Sequence, residues 1–180
     1  MAERIVLETA RTILRPFQIT DAADLYEFSR DRRVADAAGW PAHKSVADSQ
    51  KVIVAVFSAP NTFAVVEKGS GKVIGSAGFT GAVRGAFGPS DEIGYALHPD
   101  WWGRGIMTEV VAELLRFGFE DRGLEAIWCS HYTENPASRR VIEKSGFSYV
   151  AAETVVDDNG EHLTRFYVLL RQQWKGDGHG

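Results

Sequence analysis

A chain of 180 residues, 44% hydrophobic and 24% charged, has the size of one packed domain and is short for two. Its net charge of −4 argues against a nucleic-acid-binding module, whose phosphate contacts need a basic face, and mildly favours a cationic or amine substrate. The lone Cys129 excludes an internal disulfide and leaves too few thiolates for a cysteine-rich zinc site, so no metal is expected.

The first ten residues carry Glu3, Arg4 and Glu8 and lack the apolar centre of a signal peptide. No uncharged apolar run approaches the roughly 18 residues of a membrane span, so the expected setting is the cytoplasm, away from membranes. Residues 11–17 alternate and read as a strand stopped by Pro16. Thr20 and Asp21 offer N-cap oxygens to a helix carrying Leu25, Tyr26 and Phe28. After a loop at Gly39-Trp40-Pro41, Ser45 is placed to cap a second helix with Val46, Val52, Ile53 and Val56.

Strands follow at 63–68 and 72–79, joined by the hairpin signal Gly69-Ser70-Gly71. Residues 81–90, with several glycines and Pro89, read as a loop, and 92–97 as a strand ended by Pro99. Gly94 inside it marks a bulge, a close backbone approach or simple filler. Residues 104–120 form the strongest helix, with Ile106, Val110, Val111, Leu114, Leu115 and Phe117 on one face and Glu109, Glu113, Arg116 and Glu120 on the other. A strand at 126–132, a helix at 136–144 ended by Gly146, and strands at 149–156 and 162–170 complete the pattern. The expected order is β-α-α-β-β-β-α-β-α-β-β, a mixed α/β fold in one domain over 1–180, with a frayed tail at 175–180.

Chemistry concentrates between the strand at 92–97 and the long helix, in Pro99-Asp100-Trp101-Trp102-Gly103-Arg104-Gly105-Ile106-Met107-Thr108-Glu109. The first N–H groups of a helix lack internal partners and lie at the positive end of its dipole, which suits an anion. Gly103 and Gly105 carry no side chains to block a phosphate, and Arg104 adds a charge. The glycines could equally do no more than shape a turn. A Walker lysine followed by Ser or Thr is missing, as is the third glycine of a dinucleotide fingerprint. A different kind of diphosphate site is the better reading.

Upstream lies Glu92-Ile93-Gly94-Tyr95-Ala96-Leu97-His98-Pro99, and downstream Asn135-Pro136-Ala137-Ser138 followed by Glu143-Lys144-Ser145-Gly146-Phe147. With Trp102-Gly103-Arg104-Gly105 and Thr108-Glu109, these segments resemble the GNAT acetyltransferase superfamily, in particular its RimJ/RimL-like branch of ribosomal-protein-alanine acetyltransferase-like proteins. The resemblance runs from Thr12 to about Trp174. It implies a GNAT fold with a splayed central pair of parallel strands and acetyl-coenzyme A as co-substrate. It further implies that the coenzyme diphosphate rests on the amides of Trp102, Gly103, Arg104, Gly105, Ile106, Met107 and Thr108. Trp102 and Met107 depart from the usual loop, and Met107 is expected to narrow the approach. Backbone near Leu97 and Pro99 is implied to pair with the pantetheine arm, Asn135 to contact it, and Ser138 to protonate the leaving thiolate.

Amine acetylation needs a neutral nitrogen, so a base helps. Glu92, at the start of one framing strand, is the first candidate, with burial expected to favour its protonated form. His131 on the other framing strand is the second, and Glu134 the third. Trp40, Phe79, Phe87 and Asp36 are candidates to line the acceptor site. The expected function is N-acetylation of a primary amine, on a protein N-terminus or a small molecule, by a monomer or homodimer. The alternative is a non-catalytic coenzyme A-binding sensor.

Overall fold

The long apolar stripe at 106–117 forms as its spacing dictates. In the computed structural model, which describes residues 5–82, 84–85 and 87–176, Ile106, Val110, Val111, Leu114 and Leu115 are all buried on one side of helix Ile106–Arg116. The expected start at 104 moves to 106 because Gly105 is the N-cap, held at φ +76°. A π turn, Phe117–Asp121, extends the helix at its far end.

In chain order the elements are β1 Leu7–Glu8, β2 Thr12–Arg15, α1 Ala22–Ser29, α2 Arg32–Ala38 and α3 Val46–Ala55. Then come β3 Thr62–Glu67, β4 Val73–Phe79, β5 Ser90–Leu97, α4 Ile106–Arg116 and β6 Ala126–Tyr132. α5 Pro136–Lys144, β7 Ser148–Asp157 and β8 Gly160–Leu170 close the order. One eight-stranded sheet runs β1-β2-β3-β4-β5-β6-β8-β7. Among the described residues only β5 and β6 pair in parallel, because α4 carries the chain back over the sheet between them. This is a mixed α/β architecture with the parallel central pair that the resemblance implies.

Alternate side chains of each strand face opposite layers. Val65, Ile93 and Cys129 join α4 and α5 in the larger core, whereas Ala64, Val66, Val73 and Ala96 join α1, α2 and α3 on the other face. Fully buried Phe28, Phe63 and Phe119 anchor these layers, each contributing about 1.5–3 kcal/mol through burial.

Three expectations are corrected. Two helices were expected between the first strands, and there are three, with α2 additional; the short β1 is also new. Asp21 does not cap α1, since its carboxylate takes Arg15 through two bonds of 2.8 and 2.9 Å and the Gln18 N–H at 2.8 Å. Gly94 makes no bulge: the β4–β5 ladder is continuous there, and the sheet's register shifts lie in β3 between Val65 and Val66 and in β7 between Tyr149 and Ala151. Ser45 caps α3 as expected, accepting the Asp48 N–H at 3.1 Å. Of the tail at 175–180, residues 177–180 lie outside the described residues.

Candidate active site

The parallel pair is short. β5 and β6 are in register from Ser90↔Ala126 to Ile93↔Cys129, and there the ladder ends. β5 continues to Leu97 against β4, and β6 continues to Tyr132 against β8, so the two strands diverge. The C=O of Glu92 takes the Thr80 N–H, and the His98 N–H goes to Ile74. Even-numbered residues of β5 therefore turn their main chain to β4, and Tyr95 and Leu97 turn theirs to the gap. The Leu97 C=O accepts the Trp102 indole N–H at 2.7 Å.

Beyond Leu97 the chain makes a single 3-10 turn, Pro99–Trp101, fixed by the His98 ring accepting the Asp100 N–H at 3.1 Å. Gly103 and Gly105 then take φ of +72° and +76°, a conformation that side-chain-bearing residues rarely adopt. The first helical bond of α4 runs from the Glu109 N–H to the Gly105 C=O at 3.2 Å. Among the described residues, the N–H groups of Gly103, Arg104, Gly105, Ile106, Met107 and Thr108 have no protein acceptor, whereas that of Trp102, expected among them, goes to the Pro99 carbonyl at 3.0 Å. A Cβ on Gly103 would meet nothing within 4 Å, and one on Gly105 only Arg11 Nη2 at 3.5 Å. Open space therefore faces a row of unpaired donors, which fits a diphosphate. Met107 does not narrow the approach as expected, because its side chain is buried in the core at 5% exposure. The Arg104 guanidinium lies over Trp101, 4.9 Å from the ring centre.

A cleft of about 690 Å³ links this corner, through the strand gap, to the opposite face of the sheet. On that face Glu92, 7% exposed, accepts the Ser130 hydroxyl at 2.6 Å and the Arg84 Nε–H at 2.8 Å. Arg84 in turn lies 4.1 Å above Phe166. Val34, Ala37 and Ala38 of α2 wall the cleft there, and Tyr132 closes its end. On the α5 side, Asn135 caps the helix by accepting the Ser138 N–H at 3.0 Å, and the Ser138 hydroxyl lies 2.8 Å from that of Tyr95.

His131 faces α5, away from Glu92. Its Nδ1 lies 2.7 Å from the Tyr132 carbonyl and its Nε2 3.2 Å from the Tyr167 hydroxyl. Burial, its largest influence, holds its pKa below the usual histidine value. Glu134 is exposed at the rim of the cleft.

Pro99 borders a smaller neighbouring pocket and does not face the gap. The three aromatic acceptor candidates also lie elsewhere. Phe79 is core, packed against Phe117 and Arg122. Trp40 packs on Phe57, and Phe87 lies near Trp128 at the surface. Asp36 pairs with Arg32 at 3.6 Å. In their place the cleft holds Arg84-bound Glu92, Ser130, Tyr95 and the α2 wall. Of these, Glu92 is the first candidate base and Tyr95 stands in the Gly-Tyr segment, whereas Arg84 and Ser130 carry no local signal.

Residues 11–148 match the family model described as an acetyltransferase (GNAT) domain. An uncharacterised N-acetyltransferase of Bacillus subtilis, YoaA, is 27% identical over 79% of this chain and 82% of its own length. The [ribosomal protein uS5]-alanine N-acetyltransferase of Escherichia coli is 23% identical over 96% of this chain and 87% of its own. Among solved structures, the microcin C7 self-immunity acetyltransferase MccE, in complex with acetyl-CoA and AMP, superposes with a TM-score of 0.73 at 18% identity, covering 89% of this chain and 93% of that one. The model match spans the diverging strands, the glycine corner and the capped helix together, and the chain belongs to the GNAT acetyltransferases, a family of acyltransferase enzymes.

Proposed function

We propose that this enzyme transfers the acetyl group of acetyl-coenzyme A to a primary amine by direct attack, and that a protein N-terminal α-amine is its acceptor. The observation that carries the first part is the run of donors from Gly103 to Thr108, without protein acceptors and opening on a cleft that crosses the sheet to Glu92. MccE, a protein of the same fold, binds acetyl-CoA.

Bound acetyl-coenzyme A supplies an activated acyl carbon; the chain supplies position and proton handling. The amides of Gly103 to Thr108 would hold the diphosphate, and the gap-facing main chain of Tyr95 and Leu97 the arm that follows. An N–H of that strand edge is suited to steady negative charge on the thioester oxygen. Glu92 takes the amine proton, directly or through water, with Ser130 and Arg84 fixing the carboxylate. Ser138 gives a hydrogen bond to the departing sulfur.

The acceptor follows from acid–base arithmetic. At pH 7 about one α-amine in ten is neutral, against about one alkyl amine in 2,500. A carboxylate engaged at both oxygens favours the acceptor that needs least deprotonation. The E. coli relative is named for acetylating an alanine of a ribosomal protein, which supports the same choice.

Two measurements test this. Acetyl-coenzyme A at a hundredfold over its dissociation constant should stabilise the protein by about 2.7 kcal/mol, read as a thermal shift. Thiol release should then be faster with peptides beginning in Ala, Ser or Met than with polyamines, amino acids or aminoglycosides. Binding without acceleration by any amine would instead mark a coenzyme A sensor.

A further inference from the structure

We propose that Tyr95 is a positioning residue: its hydroxyl donates to Ser138 Oγ and so turns the Ser138 proton into the cleft, toward the leaving sulfur. The inference rests on the reading of Ser138 given above and extends it to a second motif that had no assigned work.

The geometry is specific. Tyr95 leaves β5 at an odd position, so its side chain lies on the α4–α5 face, and it packs against the larger core. It crosses the gap between the diverging strands to the first turn of α5, where its Oη lies 2.8 Å from Ser138 Oγ and 3.3 Å from the Ser138 carbonyl. The two residues are 43 apart in sequence, and both line the cleft. Asn135 fixes the other end of Ser138 by taking its N–H at 3.0 Å. A serine hydroxyl has one proton and two lone pairs, and whichever partner donates to it decides where that proton points. Burial is the main influence raising the Tyr95 pKa, so the phenol keeps a proton to give, and a phenol, being more acidic than an aliphatic alcohol, is the better donor of the two hydroxyls. Ser138 is then left with one proton and one direction to spend it.

In the transfer itself the amine nitrogen bonds to the acyl carbon, the carbon–sulfur bond breaks, and its electron pair stays on sulfur. The sulfur leaves as a thiolate, held by the Ser138 O–H, and takes its proton from solvent. The amine proton goes to Glu92 or water. Tyr95 neither gains nor loses a proton.

The test needs no acceptor. Coenzyme A and acetyl-coenzyme A are titrated calorimetrically into the wild type, Tyr95→Phe, Ser138→Ala and the double variant between pH 7 and 9.5. Only coenzyme A can present a thiolate, and free thiols ionise near pH 8.5. His131, Glu134, Arg140 and Lys144 also border this end of the cleft, and the field of their charges acts on both ligands alike. The ratio of the two affinities therefore isolates the sulfur. In the wild type, coenzyme A should gain about tenfold on acetyl-coenzyme A as pH rises, the ordinary worth of a hydrogen bond to a charged group. Tyr95→Phe and Ser138→Ala should each flatten that gain, and the double variant should match Ser138→Ala alone. Acetyl-coenzyme A binding at wild-type strength reports that a variant is folded. A wild-type gain persisting in Tyr95→Phe, or losses that add in the double variant, would overturn the inference while leaving the cofactor reading intact. Failure of the wild type to bind either ligand would overturn both.

Discussion

Glu92 combines two features that rarely coexist on a surface carboxylate: it is buried, and both its oxygens have partners on different elements, Ser130 on β6 and Arg84 before β5. Glu92→Gln keeps the size and removes the proton acceptor. The expected result is a fall in kcat of about 100-fold, with acetyl-coenzyme A affinity unchanged because the diphosphate corner is remote from it. His131 makes a different prediction, about stability. Burial depresses its folded pKa below the ordinary 6.5. As pH falls below 6.5 the unfolded chain takes a proton that the folded protein refuses, so stability is full above that value and declines beneath it. Thermal melts from pH 7.5 down to 5.5 should show this slope, and His131→Gln should flatten it. Glu92, Ser138 and Asn135 could be picked from sequence because they stand at motif positions. Their partners could not: Ser130 meets Glu92 because β5 and β6 are brought side by side, and Arg84 because the segment before β5 turns back toward that strand, and nothing local to either residue records that neighbour.

The helix–strand pattern was readable where one periodicity dominated. α4 together with its π extension, and α5, have polar and apolar faces sharp enough to locate within two residues, and Ser45 and Asn135 cap as their chemistry suggests. α2 escaped because it buries only Val34 and Ala35, too few for a stripe. Its punctuation was nonetheless present: the Asp31 carboxylate accepts the Arg33 N–H at 2.9 Å, and Gly39 ends the helix at φ +76°. Asp21 misled in the opposite sense, since a nearby arginine outcompeted the helix for its carboxylate. The corner before α4 takes left-handed geometry at both Gly103 and Gly105, and Gly105 is the residue that leads directly into the helix. Gly105→Ala has room for the added methyl, so its cost is conformational, about 1–2 kcal/mol. It should lower the melting temperature by roughly 2–8 °C. Reorienting the first amides of α4 should also weaken acetyl-coenzyme A binding, which separates this variant from an ordinary destabilised one; calorimetric titration at a temperature where the variant is fully folded measures it.

Strand order is where local pattern stopped informing. The excursion from β6 past β8 to β7 places the turn after Asp157 beside the end of α2, more than a hundred residues earlier in the chain. Three distant segments meet there. The Tyr132 hydroxyl donates to the Asp157 carboxylate, Asn159 Nδ2 donates to the Trp40 carbonyl at 3.0 Å, and His162 stacks on the Tyr132 ring at 4.3 Å. Gly39 packs against that same hydroxyl, where a side chain would collide. Tyr132 and α2 both border the Glu92 side of the cleft, so this junction bears on the width of that side. The Tyr132 hydrogen bond is also the main cause lowering the Asp157 pKa, so its stabilisation is complete above the ordinary carboxylate value and fades as pH falls toward the folded one. Asp157→Asn replaces a charged acceptor with a neutral one and should cost about 1.5–3 kcal/mol, read as a melting temperature lower by roughly 3–12 °C at pH 7. The difference from wild type should shrink on acidification, since protonation removes the same charge from the wild type. If the junction shapes the acceptor end, KM for a peptide acceptor should rise while the dissociation constant of acetyl-coenzyme A stays level. A variant that lost affinity for both would instead show that the two ends of the cleft are mechanically one piece.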